Sequence, residues 1–110
     1  MGGESVFRAR HEDSEIIIML GGDDDVEVLD DVDVEVILGD GSRWSATFLS
    51  IDAIQRLMVR WKVTGECLNG AFFQCRDLVI VEQRGLAAMI DLAGRLIDTG
   101  ELQYTFMRID

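Results

Sequence analysis

The chain has 110 residues, 48% hydrophobic and 28% charged, a balance that suits one α+β domain over 1–110 able to bury roughly two thirds of its unfolded surface. Its formal net charge of −11 opposes direct binding of nucleic acid or anionic membrane. No apolar run, such as that of residues 16–20, exceeds five residues, far short of the ~20 that span a bilayer.

Residues 6–10 and 15–20 flank the polar stretch HEDS and predict a hairpin in which Arg10 faces Glu15 across the turn, a favourable cross-strand pair. GGDDD follows, a loop by composition. Val32, Val34, Val36 and Leu38 then alternate with Asp33, Glu35 and Ile37, the period-two pattern of a half-buried strand. RWSATFL alternates again, with Trp44, Ala46 and Phe48 on one face. A two-residue turn at Asp40 and Gly41 would set the valine face against polar partners. A three-residue loop of Gly39, Asp40 and Gly41 instead pairs Val36 with Trp44, Val34 with Ala46 and Val32 with Phe48, with Gly41 left-handed.

A helix comes next. Ser50 caps it, Asp52 suits its first turn, and Ile54, Leu57, Met58 and Trp61 repeat at helical spacing until Gly65 ends it. Residues 71–83 predict one strand bent near Arg76 and Asp77, or two short ones. A second helix covers residues 86–99, and LQYTFMRI predicts a last strand on the alternation of Leu102, Tyr104 and Phe106. The order ββββα(β)βαβ implies a mostly antiparallel sheet with two helices packed on one face.

The charge is unevenly placed. Residues 1–42 hold thirteen acids against two arginines, whereas residues 43–110 hold eight acids against eight basic residues. No Lys or Arg interrupts the chain between Arg10 and Arg43. On an extended strand Asp31, Asp33 and Glu35 repeat at roughly 6.5–7 Å, and with Asp23, Asp24, Asp25 and Glu27 ahead of them they form a candidate surface for a basic protein partner. Such a row can imitate phosphates in the groove of a toxin or nucleic-acid-binding enzyme. As a strand it also presents an ordinary solvated face that discourages edge pairing.

Other chemistries find less support. The two Asp-x-Asp-x-Glu runs fail as twelve-residue calcium loops, because their sixth and twelfth positions are Val28 and Val34 or Val36 and Ser42. His11, the one histidine, lies beside Glu12 and Asp13, where solvation is the expectation, and no spacing joins it to Cys67 or Cys75 or makes a zinc pattern. The glycine pairs lack the lysine of a phosphate loop. No catalytic, cofactor or metal residues are therefore assigned, and a non-enzymatic protein is expected. The N-terminal residues lack the features of a secretory signal, and the two cysteines suit a reduced, buried state, so a cytoplasmic location is expected. Two alternatives stand beside recognition. One is a small-molecule pocket lined by Trp44, Phe48, Trp61 and Phe73; the other is a homodimer formed through a sheet edge or the aromatic surface.

Over residues 34–81, VEVILGDGSRWSATF, RLMVRW, TGECLNGAFF and DLVIVE resemble a group of small, acidic, uncharacterised bacterial proteins of the toxin–immunity type. The resemblance implies an inhibitor of a toxin and carries no assigned site residues.

Overall fold

A computed structural model describes residues 5–21 and 25–110. Among the described residues six strands form one sheet, β1 (Ser5–His11), β2 (Ser14–Leu20), β3 (Asp31–Ile37), β4 (Arg43–Leu49), β5 (Leu78–Ile80) and β6 (Met107–Arg108). They run in the order β1-β2-β3-β4-β5, with β6 also on β4. All pairings are antiparallel except β4–β5. Two long helices, α1 (Ile51–Thr64) and α3 (Leu86–Thr99), and two short helical segments, α2 (Glu66–Gly70) and α4 (Leu102–Thr105), complete an α+β fold. No described helix is long and apolar enough to cross a membrane.

The register follows from burial. Val32, Val34 and Val36 sit opposite Phe48, Ala46 and Trp44, and the amide of Leu38 bonds the carbonyl of Ser42 across the three-residue loop. Gly41 takes φ +87° there, the left-handed position that glycine reaches without a steric penalty. Ile16 and Ile18 of β2 continue the same face, and α3 covers it with Met89, Ala93 and Leu96. Phe106 closes the far end edge-on to Phe48, with ring centroids 5.7 Å apart. The helical share of this core comes from α3 and the segment after it. α1 buries only Ala53 fully, and its predicted stripe of Ile54, Leu57, Met58 and Trp61 is half-buried.

Two predicted strands are largely replaced. Of residues 71–83 only Leu78–Ile80 pairs, in parallel with β4. Phe73 instead stacks on Trp61, 5.3 Å between centroids, which draws the chain off the sheet. In LQYTFMRI the first four residues make a helical turn and only Met107–Arg108 is strand. Leu102 and Phe106 are buried four residues apart while Tyr104 is 89% exposed, so the spacing that reads as alternation is one helical turn.

In α2, Cys67, Leu68 and Asn69 take φ of 48°, 51° and 60° in succession, a left-handed turn that costs a non-glycine residue about 1–2 kcal/mol. Leu68 is exposed and gains little by burial in return. Leu68→Gly is therefore expected to raise stability by up to about 1 kcal/mol, since its larger unfolded-state entropy offsets only part of the relief. Chemical denaturation of the two proteins measures it, and a lower midpoint for the glycine variant would contradict the strain.

Candidate functional site

The acidic segment divides into two groups. Asp23 and Asp24 lie outside the described residues. Asp25 and Glu27 ride a loop fastened to the start of α3, where the amide of Leu86 bonds the carbonyl of Val26 and that of Gly85 the carbonyl of Leu29, each at 2.7 Å. Gly85 permits this approach, because a Cβ there would sit 2.9 Å from the carbonyl oxygen of Glu27. Asp25 turns its own carboxylate back to accept from the amide of Glu27 at 3.1 Å, a local Asx turn. The loop's backbone carbonyls thus take the amides at the start of α3, which carries no side-chain cap.

Asp31, Asp33 and Glu35 lie on the sheet face opposite the α3 core, as alternation requires. β3 is an interior strand, so these acids guard no edge. The pairing brings cations to a segment that has none in sequence. Arg43 of β4 reaches Glu35 at 3.4 Å, and Arg8 of β1 reaches Glu15 of β2 at 3.0 Å. Arg10 is the residue directly opposite Glu15, but the ion pair forms with Arg8 on the diagonal. Asp33 accepts from the Thr47 hydroxyl at 2.9 Å. Arg8 and Arg43 gather around Glu15 and Glu35 at one end of the face, while Asp31 and Asp33 hold the other end, next to the Asp25–Glu27 loop and to Asp30, which takes Arg56 and Arg84.

Asp30, which sequence reasoning passed over, is the most heavily engaged acid. It is 8% exposed. The Ser50 hydroxyl donates to its Oδ2 at 2.7 Å, Arg56 Nη2 donates to Oδ1 and Oδ2 at 2.9 and 3.0 Å, and Arg84 Nε lies 3.8 Å away. The same Ser50 oxygen accepts from the amide of Ala53 at 3.0 Å and caps α1. Burial pushes the Asp30 carboxyl upward, but the Ser50 and Arg56 hydrogen bonds and the two guanidinium charges hold it below its ordinary value. No local spacing marks this residue, since its partners stand 20, 26 and 54 positions away.

His11 is also placed otherwise than expected. It is half-buried against α3, with Nε2 2.8 Å from Asp98 Oδ1, and its ring packs on Gly94, where a Cβ would meet Nδ1 and Cε1 at 2.9 Å. The Asp98 hydrogen bond raises its pKa above the ordinary 6.5, against an opposing contribution from burial. His11, Glu12 and Asp98 bring their ligand atoms within 4.8 Å of one another. The cysteines stay apart from His11: Cys67 and Cys75 are half-buried and free, and the Cys75 thiol lies against Asp77.

The four aromatics proposed to line a pocket make three separate contacts. Phe48 is closed by Phe106, Trp61 by Phe73, and Arg108 lies over Trp44 at 5.8 Å.

No family model, curated protein or solved structure matches the chain.

Because the folded-state pKa of Asp30 is depressed, its stabilisation is complete above the unfolded value of 3.8 and is lost as pH falls through the lower folded value. Asp30→Asn is expected to cost about 1–2 kcal/mol between pH 5 and 7, the loss of charged hydrogen bonds from a nearly buried group. The gap to the wild type closes below about pH 4. Thermal melts from pH 3 to 7 measure this, and a gap independent of pH would show that Asp30 acts without its charge.

Proposed function

We propose that the chain is a non-enzymatic binding protein that docks the acidic end of its sheet onto a basic protein surface, in the manner of an immunity protein neutralising a basic toxin or nucleic-acid-processing enzyme. The observation that carries this reading is the uneven compensation of the acidic run. Asp30, Glu35 and Glu15 each take an arginine from outside it. Asp25, Glu27 and Asp33 have no ion pair among the described residues and are exposed. These three flank Asp31 at one end of β3, and the fold holds them in place through the α3 loop and the central strand. Charges fixed on rigid elements lose little entropy on meeting a partner, and a field of one sign accelerates the encounter.

Co-expression tests the reading. A protein encoded beside this chain is expected to arrest growth when made alone and to be harmless when this chain is made with it; growth arrest in both cases overturns the proposal. With such a partner in hand, Asp31→Lys with Asp33→Lys is expected to slow association about tenfold at low salt, an effect that fades as salt rises. Glu35→Lys has a smaller effect, because Arg43 already answers that charge. Association rates indifferent to these changes and to salt would remove the electrostatic mechanism.

A second reading, a homodimer, is favoured by α1. Ile51, Val59 and Val63 are exposed on its outer side, Val63 to 89%. Asp52 lies in the first turn and Lys62 in the last, so two copies packed antiparallel bring acidic and basic ends together. Sedimentation over a range of concentrations is expected to show a dimer that Val59→Asp with Val63→Asp converts to monomer. A monomer at every concentration excludes it.

A further inference from the structure

We propose that His11, Glu12 and Asp98 form a binding site for a divalent transition-metal ion of the zinc class, which ties the β1–β2 turn to the end of α3. The donors come from two elements 87 positions apart and are brought together by the packing of the hairpin against the helix. Each offers one ligand atom, and all three atoms lie within 4.8 Å of one another. An ion at about 2.0–2.2 Å from nitrogen and carboxylate oxygen holds neighbouring donors roughly 3–3.5 Å apart. The His11–Asp98 separation of 2.8 Å is already close to that span, and a rotation of the exposed Glu12 side chain closes the third position. One imidazole with two carboxylates suits zinc, cobalt or nickel better than calcium or magnesium, which prefer oxygen alone.

Three features of the surroundings favour a cation here. Asp98 lies in the last turn of α3, where no basic residue stands, so the acid meets the negative end of the helix dipole and gains from a positive partner. Gly94 lets the imidazole approach the helix closely, since a Cβ would press its ring at 2.9 Å. An open depression of about 450 Å³, lined by His11, Ile90, Gly94 and Asp98, leaves room for the water ligands that complete the shell. Arg95 and Asp91 line the same depression and pair with each other at 3.7 Å, so the arginine charge there is matched by a carboxylate outside the donor set.

The test uses the full chain without a histidine tag. Zinc titration by calorimetry and the absorption of bound cobalt are expected to give one site per chain with a micromolar dissociation constant, and zinc is expected to raise the melting temperature. His11→Gln and Asp98→Asn should each weaken binding at least tenfold. Gly94→Ala, which displaces the ring without removing a donor, should weaken it as well. Circular dichroism of each variant without metal separates a lost ligand from a lost fold, and Glu101→Gln serves as an acidic control that leaves affinity unchanged. Uptake that survives His11→Gln in a folded protein places the ion elsewhere, and a wild type that takes up no zinc at millimolar concentration has no site. Either result overturns the proposal.

Discussion

One hydroxyl joins most of the molecule. Ser50 Oγ accepts a hydrogen bond from the amide of Ala53 and donates one to Asp30, so the end of β4, the start of α1 and the residue leading into β3 meet at a single oxygen. The amide of Ser50 bonds the carbonyl of Asp30 as well, at 3.0 Å. Arg56 then draws the second turn of α1 to the same carboxylate, and Arg84, just before α3, reaches it from the other side while pairing with Asp52. A nearly buried carboxylate is costly unless every lone pair is answered. Here two guanidiniums and a hydroxyl answer it, which makes the arrangement specific as well as stable. The position of α1 depends heavily on this junction, because the helix buries only Ala53 completely.

The sheet reverses the impression that the linear sequence gives of its charges. Read along the chain, residues 12–42 are a block of acid with no base. Folded, that block includes all of β2 and β3, and the neighbouring β1 and β4 carry Arg8, Arg10 and Arg43 onto the same face. Segregation in sequence thus becomes interleaving in space, because an interior antiparallel strand is flanked on both sides by residues from elsewhere in the chain. The −11 balance of the first 42 residues accordingly overstates the field that a partner would meet over most of that face. At the end where the Asp25–Glu27 loop leads into β3, Arg56 and Arg84 answer Asp30, while Asp25, Glu27 and Asp33 there have no ion pair among the described residues.

The legible parts of the fold were those where one period admits one structure. β3 and β4 have long alternations whose register only a three-residue loop satisfies, and α3 has six apolar positions at helical spacing between glycines. The illegible parts have periods that coincide. Leu102 and Phe106, four apart, satisfy a strand through Tyr104 and a helix without it, and only the tertiary position of Tyr104 in solvent decides between them. Residues 71–77 contain β-favouring aromatics, yet Trp61 takes Phe73 as a stacking partner, and a preference for strand yields to a contact made twelve positions earlier in the chain.

The candidate site was legible in composition and illegible in pairing, for one physical reason. The pairs Arg8–Glu15 and Arg43–Glu35 lie within single hairpins, but those at His11 and Asp30 join residues which the topology brings together, and no local window contains both members. His11 and Asp98, or Asp30 and Arg84, become neighbours only when α3 lies on the sheet. The acidic run nevertheless carries usable information about such pairs. A stretch of twelve acids without a base cannot neutralise itself, so every arginine that stabilises it must come from outside. Arg8, Arg43, Arg56 and Arg84 are recruited in this way, one for Glu15, one for Glu35 and two for Asp30. The recruitment favours the buried and half-buried acids, where an unanswered charge costs most. The acids left over, Asp25, Glu27 and Asp33, are exposed and make at most a hydrogen bond to a neutral group, so a partner's cations would meet them without displacing an internal ion pair.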